Sequence, residues 1–97
     1  AFDAVICQND VLARGCIEEL ERNGCRVPQD VAVIGHDNSP DYVSYAHPLL
    51  TSIDDNNEML GRQAALCLLD AIAGHPHHGV ERVPVKLIQR ESTLPLD

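Results

Sequence analysis

Two short stretches without a single polar side chain, Ala4-Val5-Ile6-Cys7 and Val31-Ala32-Val33-Ile34-Gly35, most constrain what this chain can fold into. Each is too short for a helix and lacks the alternation of a half-solvated strand, so each reads as a strand buried on both faces. Between them, Ala13, Ile17 and Leu20 fall on one stripe at helical spacing, with Arg14, Glu18, Glu21 and Arg22 off it. Asn9 is a good N-cap type at one end and Asn23-Gly24 a stop signal at the other, which makes this segment an amphipathic helix. Strand, helix and buried strand in succession form a βαβ unit with a right-handed crossover. The expected class is therefore α/β, a parallel sheet flanked by helices.

The pattern dissolves from His36 to His47. Asp37-Asn38-Ser39-Pro40 is a turn cluster, and Asp41 to Ala46 has room for a short helical piece at most. A loop at the carboxyl end of a parallel strand is where open α/β sheets hold their ligands. Leu49 to Ile53, after Pro48, reads as a short strand. Asp54-Asp55-Asn56-Asn57 offers several N-cap candidates with favourable negative charge for the longest helix, Glu58 to Ala73. Leu60, Ala64, Cys67, Leu68 and Ala71 form the main stripe of that helix, and Gly74 with Pro76 ends it. An apolar face this wide predicts packing against more than a solvated edge. Val83 to Ile88 alternates, with Pro84 marking an edge strand, and Arg90 to Asp97 reads as a tail.

Composition removes several classes of function. Ninety-seven residues make one domain, and 7 Lys and Arg against 15 Asp and Glu give a net charge of −8 with no basic run. A chain so charged repels phosphate backbones, so this stretch is not expected to grip nucleic acid. No apolar run approaches the roughly 20 residues of a membrane-spanning helix, and no charged-then-apolar leader opens the sequence, so neither a membrane nor an export role is expected. Cys7, Cys16, Cys25 and Cys67 form no C-x-x-C pair and are expected as reduced, mostly buried thiols in a cytosolic compartment. The aromatic residues are Phe2, Tyr42 and Tyr45, so any flat aromatic wall for a ligand has to come from outside this piece. His75, His77 and His78 lie among Gly and Pro with no carboxylate or Cys beside them, which favours a solvated loop over a metal site. No G-x-S-x-G elbow, G-x-G-x-x-G turn or phosphate loop is present, so no catalytic residue, cofactor or metal is assigned.

The remaining candidates sit at strand ends. Asn9 follows the first strand, and its amide can cap the helix, meet a hydroxylated ligand, or do both. Asp37 follows the second strand at the equivalent edge and reads either as a turn-former or as a carboxylate taking two ligand hydroxyls. Asp55, at the start of the third segment, reads as a helix cap or as a third ligand group.

The ordered set Asp3-Ala4-Val5-Ile6-Cys7, Asn9-Asp10, Ala13, Gly15, Asn23-Gly24, Val27 to Gly35, Asp37, Pro48 and Leu50-Thr51-Ser52-Ile53 carries a family resemblance. Gly61, Ala64, Leu68-Leu69, Leu87-Ile88 and Arg90-Glu91-Ser92-Thr93 continue it, so that nearly the whole chain resembles the carboxyl-terminal part of lactose-repressor-family transcription regulators. The resemblance implies a two-lobed, type I periplasmic-binding-protein-like sensor domain. Residues 1–53 and 82–97 would lie mainly in the carboxyl-terminal lobe, and the helix within 54–78 in the amino-terminal lobe. It implies that Asn9 and Asp37 touch a small effector, a sugar or nucleoside-like molecule, with Asp55 reaching it where relatives often carry Gln. His36 stands where an aromatic ring is common. Arg14 and Glu18 with Tyr42 and Tyr45 would form a homodimer surface. Operator DNA would be bound by a helix-turn-helix module absent from this chain, in the bacterial cytoplasm, and the protein would not be an enzyme. A fragment of that kind, taken alone, is expected to be marginal or to associate. The second reading is an exported sugar-binding protein that feeds a transporter.

Overall fold

A computed structural model describes residues 2–94. Seven elements follow one another: β1 (Ala4–Ile6), α1 (Asp10–Arg22), β2 (Ala32–His36), α2 (Pro40–Val43), β3 (Thr51–Asp54), α3 (Asn57–Ile72) and β4 (Lys86–Ile88). The strands lie in the order β1-β2-β3-β4. The first three run parallel, with Ile6 beside Ile34 and Ile34 beside Thr51, whereas β4 joins the edge antiparallel, with Ile53 beside Leu87. The expected parallel sheet is thus mixed, and of the expected edge strand Val83 to Ile88 only Lys86–Ile88 pairs, with Pro84 outside it.

Local chemistry explains α1. The Asn9 carboxamide oxygen accepts the Leu12 N–H at 2.9 Å, and Gly24 takes φ 83° after the last turn, a conformation that suits glycine at a helix stop. α1 and α2 cover one face of the sheet, and the core between them is Ala13, Ile17, Val27, Val31, Val33, Val43 and Leu50, with Val5, Cys7 and Leu20 at its margin. Among the described residues no helix packs over the opposite face. Ile6 is 73% exposed, and Ala4 is exposed as well. β1 is therefore not buried on both faces as its composition suggests, because its alternate side chains point away from the α1 layer.

A second departure is α3. None of its residues is buried; Gln63 and Cys67 are half-buried and the rest exposed, including Leu60, Leu68, Leu69 and Ile72. The helix extends from the sheet and draws the molecule out to 59 × 26 × 22 Å. Its wide apolar face packs on nothing comparable among the described residues. Of the four cap candidates Asn56 is the N-cap, in the left-handed region at φ 57° and without a side-chain cap bond, so Asp55 does not cap the helix.

The stretch after β4 is more than a tail. Ser92 is fully buried and fills the gap between the starts of β2 and β3. Its N–H donates to Leu49 O and its carbonyl accepts Val33 N–H, both at 2.9 Å. Its hydroxyl donates to Val33 O at 2.6 Å and accepts Thr51 N–H at 2.8 Å. Residues 95–97, the end of the expected tail, lie outside the described residues. The four cysteines are free, as expected, yet each is half-buried rather than enclosed.

Candidate functional site

The carboxyl ends of β1, β2 and β3 form one edge, and most of the polar candidates lie along it. His36 is the last residue of β2, opposite Ile53 in the register. Its Nε2 stands 2.9 Å from Asp55 Oδ1 and its Nδ1 3.5 Å from Asp37 Oδ1. An imidazole between two carboxylates offers donors and acceptors within one small region, suited to several hydroxyls of a polar ligand. The same three residues place one donor atom each within 4.8 Å of one another, a spacing that a divalent cation also accepts. Asn9 lies at the end of the neighbouring strand β1. Its oxygen is engaged by the cap, while its amide N–H groups make no hydrogen bond among the described residues.

The backbone that presents Asp37 is strained. Asp37 has φ 103° and Asn38 φ 52°, left-handed values that cost about 1–3 kcal/mol each when a non-glycine residue adopts them. Three successive N–H groups hold this turn in place. Asp37 N–H donates to Ile53 O at 2.9 Å, Asn38 N–H to Ser52 Oγ at 3.0 Å, and Ser39 N–H to Asp10 Oδ2 at 2.6 Å. Asp10 is 1% exposed, and its other oxygen accepts the Ser52 hydroxyl at 2.6 Å. One buried carboxylate at the start of α1 therefore ties the turn after β2 to β3. Gly35 is required beside it, because a Cβ there would stand 2.2 Å from Asp10 Oδ1. A second brace comes from Arg90, which donates to Asn38 Oδ1 at 2.7 Å and to Leu50 O at 2.8 Å. Asn38 in turn donates to Asp54 Oδ2 at 3.1 Å. The Asn56 N–H and then the Asn38 amide hold the Asp54 carboxyl below its usual range.

Asp10, Asn38, Ser52 and Arg90 were not among the sequence candidates. A signal for Asp10 exists: Asp10, Ala13, Arg14 and Ile17 are all buried and repeat at i, i+3, i+4 and i+7, so two charged residues lie on the stripe that faces the core.

Arg14 corrects the expectation that placed it on the outer face of α1. It is 4% exposed, and its guanidinium donates to the carbonyls of Tyr42 at 2.7 Å, Pro48 at 2.9 Å and Ala46 at 3.0 Å. It also lies 5.0 Å from the Tyr45 ring centroid. The four expected interface residues do meet. Tyr42 and Tyr45 stack edge to face with centroids 6.4 Å apart, and Tyr45 Oη donates to Glu18 Oε1 at 3.5 Å. Of the four, Glu18 and Tyr45 are exposed; Arg14 acts from beneath by fixing the loop that carries the tyrosines.

A hollow of about 910 Å³ lies elsewhere. Val27, Pro28, His47, Pro48, Glu91 and Thr93 line it, at the amino ends of the parallel strands. It is shallow and open, and ligands of open α/β sheets bind at the opposite, carboxyl ends. The polar edge at His36, Asp37 and Asp55 is therefore the better candidate site.

A family model for the periplasmic binding protein-like domain matches residues 2–93. Over 94 residues the chain is 39% identical to the HTH-type transcriptional repressor CytR of Escherichia coli strain K12, covering 96% of this chain and 27% of that protein. Among solved structures, the transcriptional regulator CelR-cellobiose complex is 37% identical with a TM-score of 0.81, covering 93% of this chain and 28% of the other. The lac repressor dimer bound to operator and the anti-inducer ONPF is 32% identical with a TM-score of 0.88, covering 96% and 32%. The chain thus spans between a quarter and a third of the length of these relatives.

Proposed function

The chain belongs to the periplasmic binding protein-like family, in its branch of lactose-repressor-type transcriptional regulators, and from that premise we propose that it is the part of such a regulator that holds a small polar effector and carries dimer contacts. The observation that carries this reading is the meeting of His36, Asp37 and Asp55 at the carboxyl edge of the sheet, on a strained turn held by the buried Asp10. The effector is a sugar or nucleoside-like molecule whose hydroxyls take the carboxylate oxygens and the Asn9 amide. The similarity to a regulator complexed with cellobiose supports that class.

Coupling follows from α1. Its first turn, through Asn9 and Asp10, touches the effector edge; one turn later Arg14 grips the loop of Tyr42 and Tyr45, and Glu18 extends the same surface. A ligand that pulls on Asp37 moves Ser39 and the loop that follows it, and so reshapes the dimer face. A coupling of roughly 1–3 kcal/mol corresponds to a 5–150-fold change in affinity, enough for a useful switch. On this reading residues up to about 53 and from about 82 onward belong mainly to the carboxyl-terminal lobe, and the helix within 54–78 packs in the amino-terminal lobe, which would cover the bare apolar face of α3. Operator DNA is bound by a helix-turn-helix module in the remainder of the regulator, in the cytoplasm, with homodimers as the working unit. Similarity to transcription regulators favours this reading over an exported sugar-binding protein.

Calorimetry of the complete regulator against a panel of sugars and nucleosides tests it. We expect one saturable ligand class, with Asp37→Asn weakening it about tenfold or more, since a hydrogen bond to a charged group contributes about 1.5–3 kcal/mol. Asp41→Asn, at an exposed position of α2, should leave affinity unchanged. Full affinity in both Asp37→Asn and Asp55→Asn, or turnover of the ligand, would overturn the proposal.

A further inference from the structure

Away from the effector edge, the end of α3 and the connection that follows it gather four metal-ligating side chains. Cys67 and Asp70 are three residues apart on the helix, and His77 and Glu81 four apart in the connection. His77 Nδ1 lies 2.8 Å from Glu81 Oε1, and His77 Nε2 lies 2.6 Å from Asp70 Oδ2. Cys67 Sγ lies 3.6 Å from Glu81 Oε2. One donor atom each from Cys67, His77 and Glu81 falls within 4.8 Å of the other two. Glu81 is near His77 in sequence, whereas the Cys67 thiol and the Asp70 carboxylate are brought to it by the fold.

From this geometry we propose that Cys67, His77 and Glu81 form a binding site for a zinc-class divalent cation, with Asp70 orienting the histidine. Tetrahedral zinc sits about 2.0–2.3 Å from sulfur, nitrogen and oxygen donors, which places the donors roughly 3.3–3.6 Å apart. The 2.8 and 3.6 Å separations involve different oxygens of Glu81, and a set with one donor atom from each residue falls within 4.8 Å, so side-chain rotations at the exposed His77 and Glu81 bring the donors to that spacing. The donor set selects the metal. A thiolate and an imidazole suit zinc, cobalt or nickel and disfavour magnesium and calcium, which require oxygen. With the ion on Nδ1, the Nε2–H donates to Asp70, the carboxylate-histidine pairing that fixes ring orientation at zinc sites. Three protein ligands leave the fourth position to water. The bound ion pins the connection through His77 and Glu81 to the last turns of α3.

The test uses the complete regulator, reduced and stripped of metal, titrated with cobalt(II) and then zinc(II). We expect one cobalt per chain with a thiolate-to-cobalt charge-transfer band, displaced by zinc. Cys67→Ser should abolish the band, and His77→Gln should abolish it without touching the helix. Asp70→Asn should keep the band and weaken zinc affinity about 10–100-fold. The triple variant Cys7→Ser, Cys16→Ser, Cys25→Ser should bind as the unaltered protein does. Absence of the band, or a band that persists in Cys67→Ser or His77→Gln, would overturn the site.

Discussion

Replacing Ser92 by Ala removes two hydrogen bonds from a residue with no solvent exposure. The hydroxyl is the partner of both Val33 O and Thr51 N–H, at 2.6 and 2.8 Å. Thr51 is itself fully buried, so its N–H gains no water in exchange. A buried backbone group left without a partner costs about 1–3 kcal/mol, so the pair costs about 2–6 kcal/mol. Partial closure around the lost oxygen brings the expected loss to the lower half of that range, about 2–4 kcal/mol. In a domain of 150–250 residues each kcal/mol moves the thermal midpoint by about 2–4 °C, so the Ala variant of the complete regulator should melt at least about 4 °C lower. The main-chain bonds of Ser92 to Leu49 and Val33 persist in the variant, so the damage should be local. Amide exchange should accelerate at Thr51 well beyond its neighbours, while Ser44→Ala, at an exposed position, should change neither quantity. A midpoint shift under about 1 °C, with Thr51 still protected, would refute the claim that this hydroxyl stands in for a strand partner.

Two further outcomes follow from the polar framework of the sheet. Gly35→Ala puts a methyl group 2.2 Å from Asp10 Oδ1 and 3.0 Å from Leu50 Cδ2, which drives the carboxylate from Ser52 and Ser39; urea unfolding should show a loss of about 2–4 kcal/mol, largely non-additive with Asp10→Ala. Asp30 is held down to about 2 from 3.8, first by the Arg26 side chain and then by the Arg26 N–H. A depressed carboxyl contributes stability that is present above its unfolded value and fades as the pH falls through the folded one. Asp30→Asn should therefore flatten the melting temperature between pH 3.8 and about 2, and leave it near neutral pH changed only by the small amount an exposed pair contributes.

The legible part of the fold was the part written in local chemistry. Asn9 and Asn23-Gly24 bounded α1 because capping is a matter of neighbouring residues. The apolar runs located β1 and β2, and the short helical piece expected within Asp41 to Ala46 is α2, which begins one residue earlier at Pro40. What periodicity misjudged was coverage. An apolar run says that a strand has two apolar faces, not that both are covered, and Ile6 shows the difference at 73% exposure. The stripe of α3 has the same status: it states a preference for contact that nothing among the described residues meets.

The candidate site divides along the same line. Asp37 was found because it follows a strand, and topology brings strand ends together; Asp55 was read from the start of the third segment, and His36 only through the family resemblance. Asp10 was passed over because a carboxylate at a helix start already has a sufficient local role. Its position on the buried stripe, one turn before Arg14, carried the missing information. Charged residues of opposite sign at i and i+4 on a core-facing stripe need partners from distant segments, since neither can be buried unpaired. Here Asp10 takes Ser39 and Ser52, and Arg14 takes the carbonyls from Tyr42 to Pro48. Both sets of partners bracket the same loop. The two polar exceptions on an otherwise apolar stripe thus hold the loop at both ends, the constraint that the proposed passage of a displacement from Asp37 to Tyr45 requires.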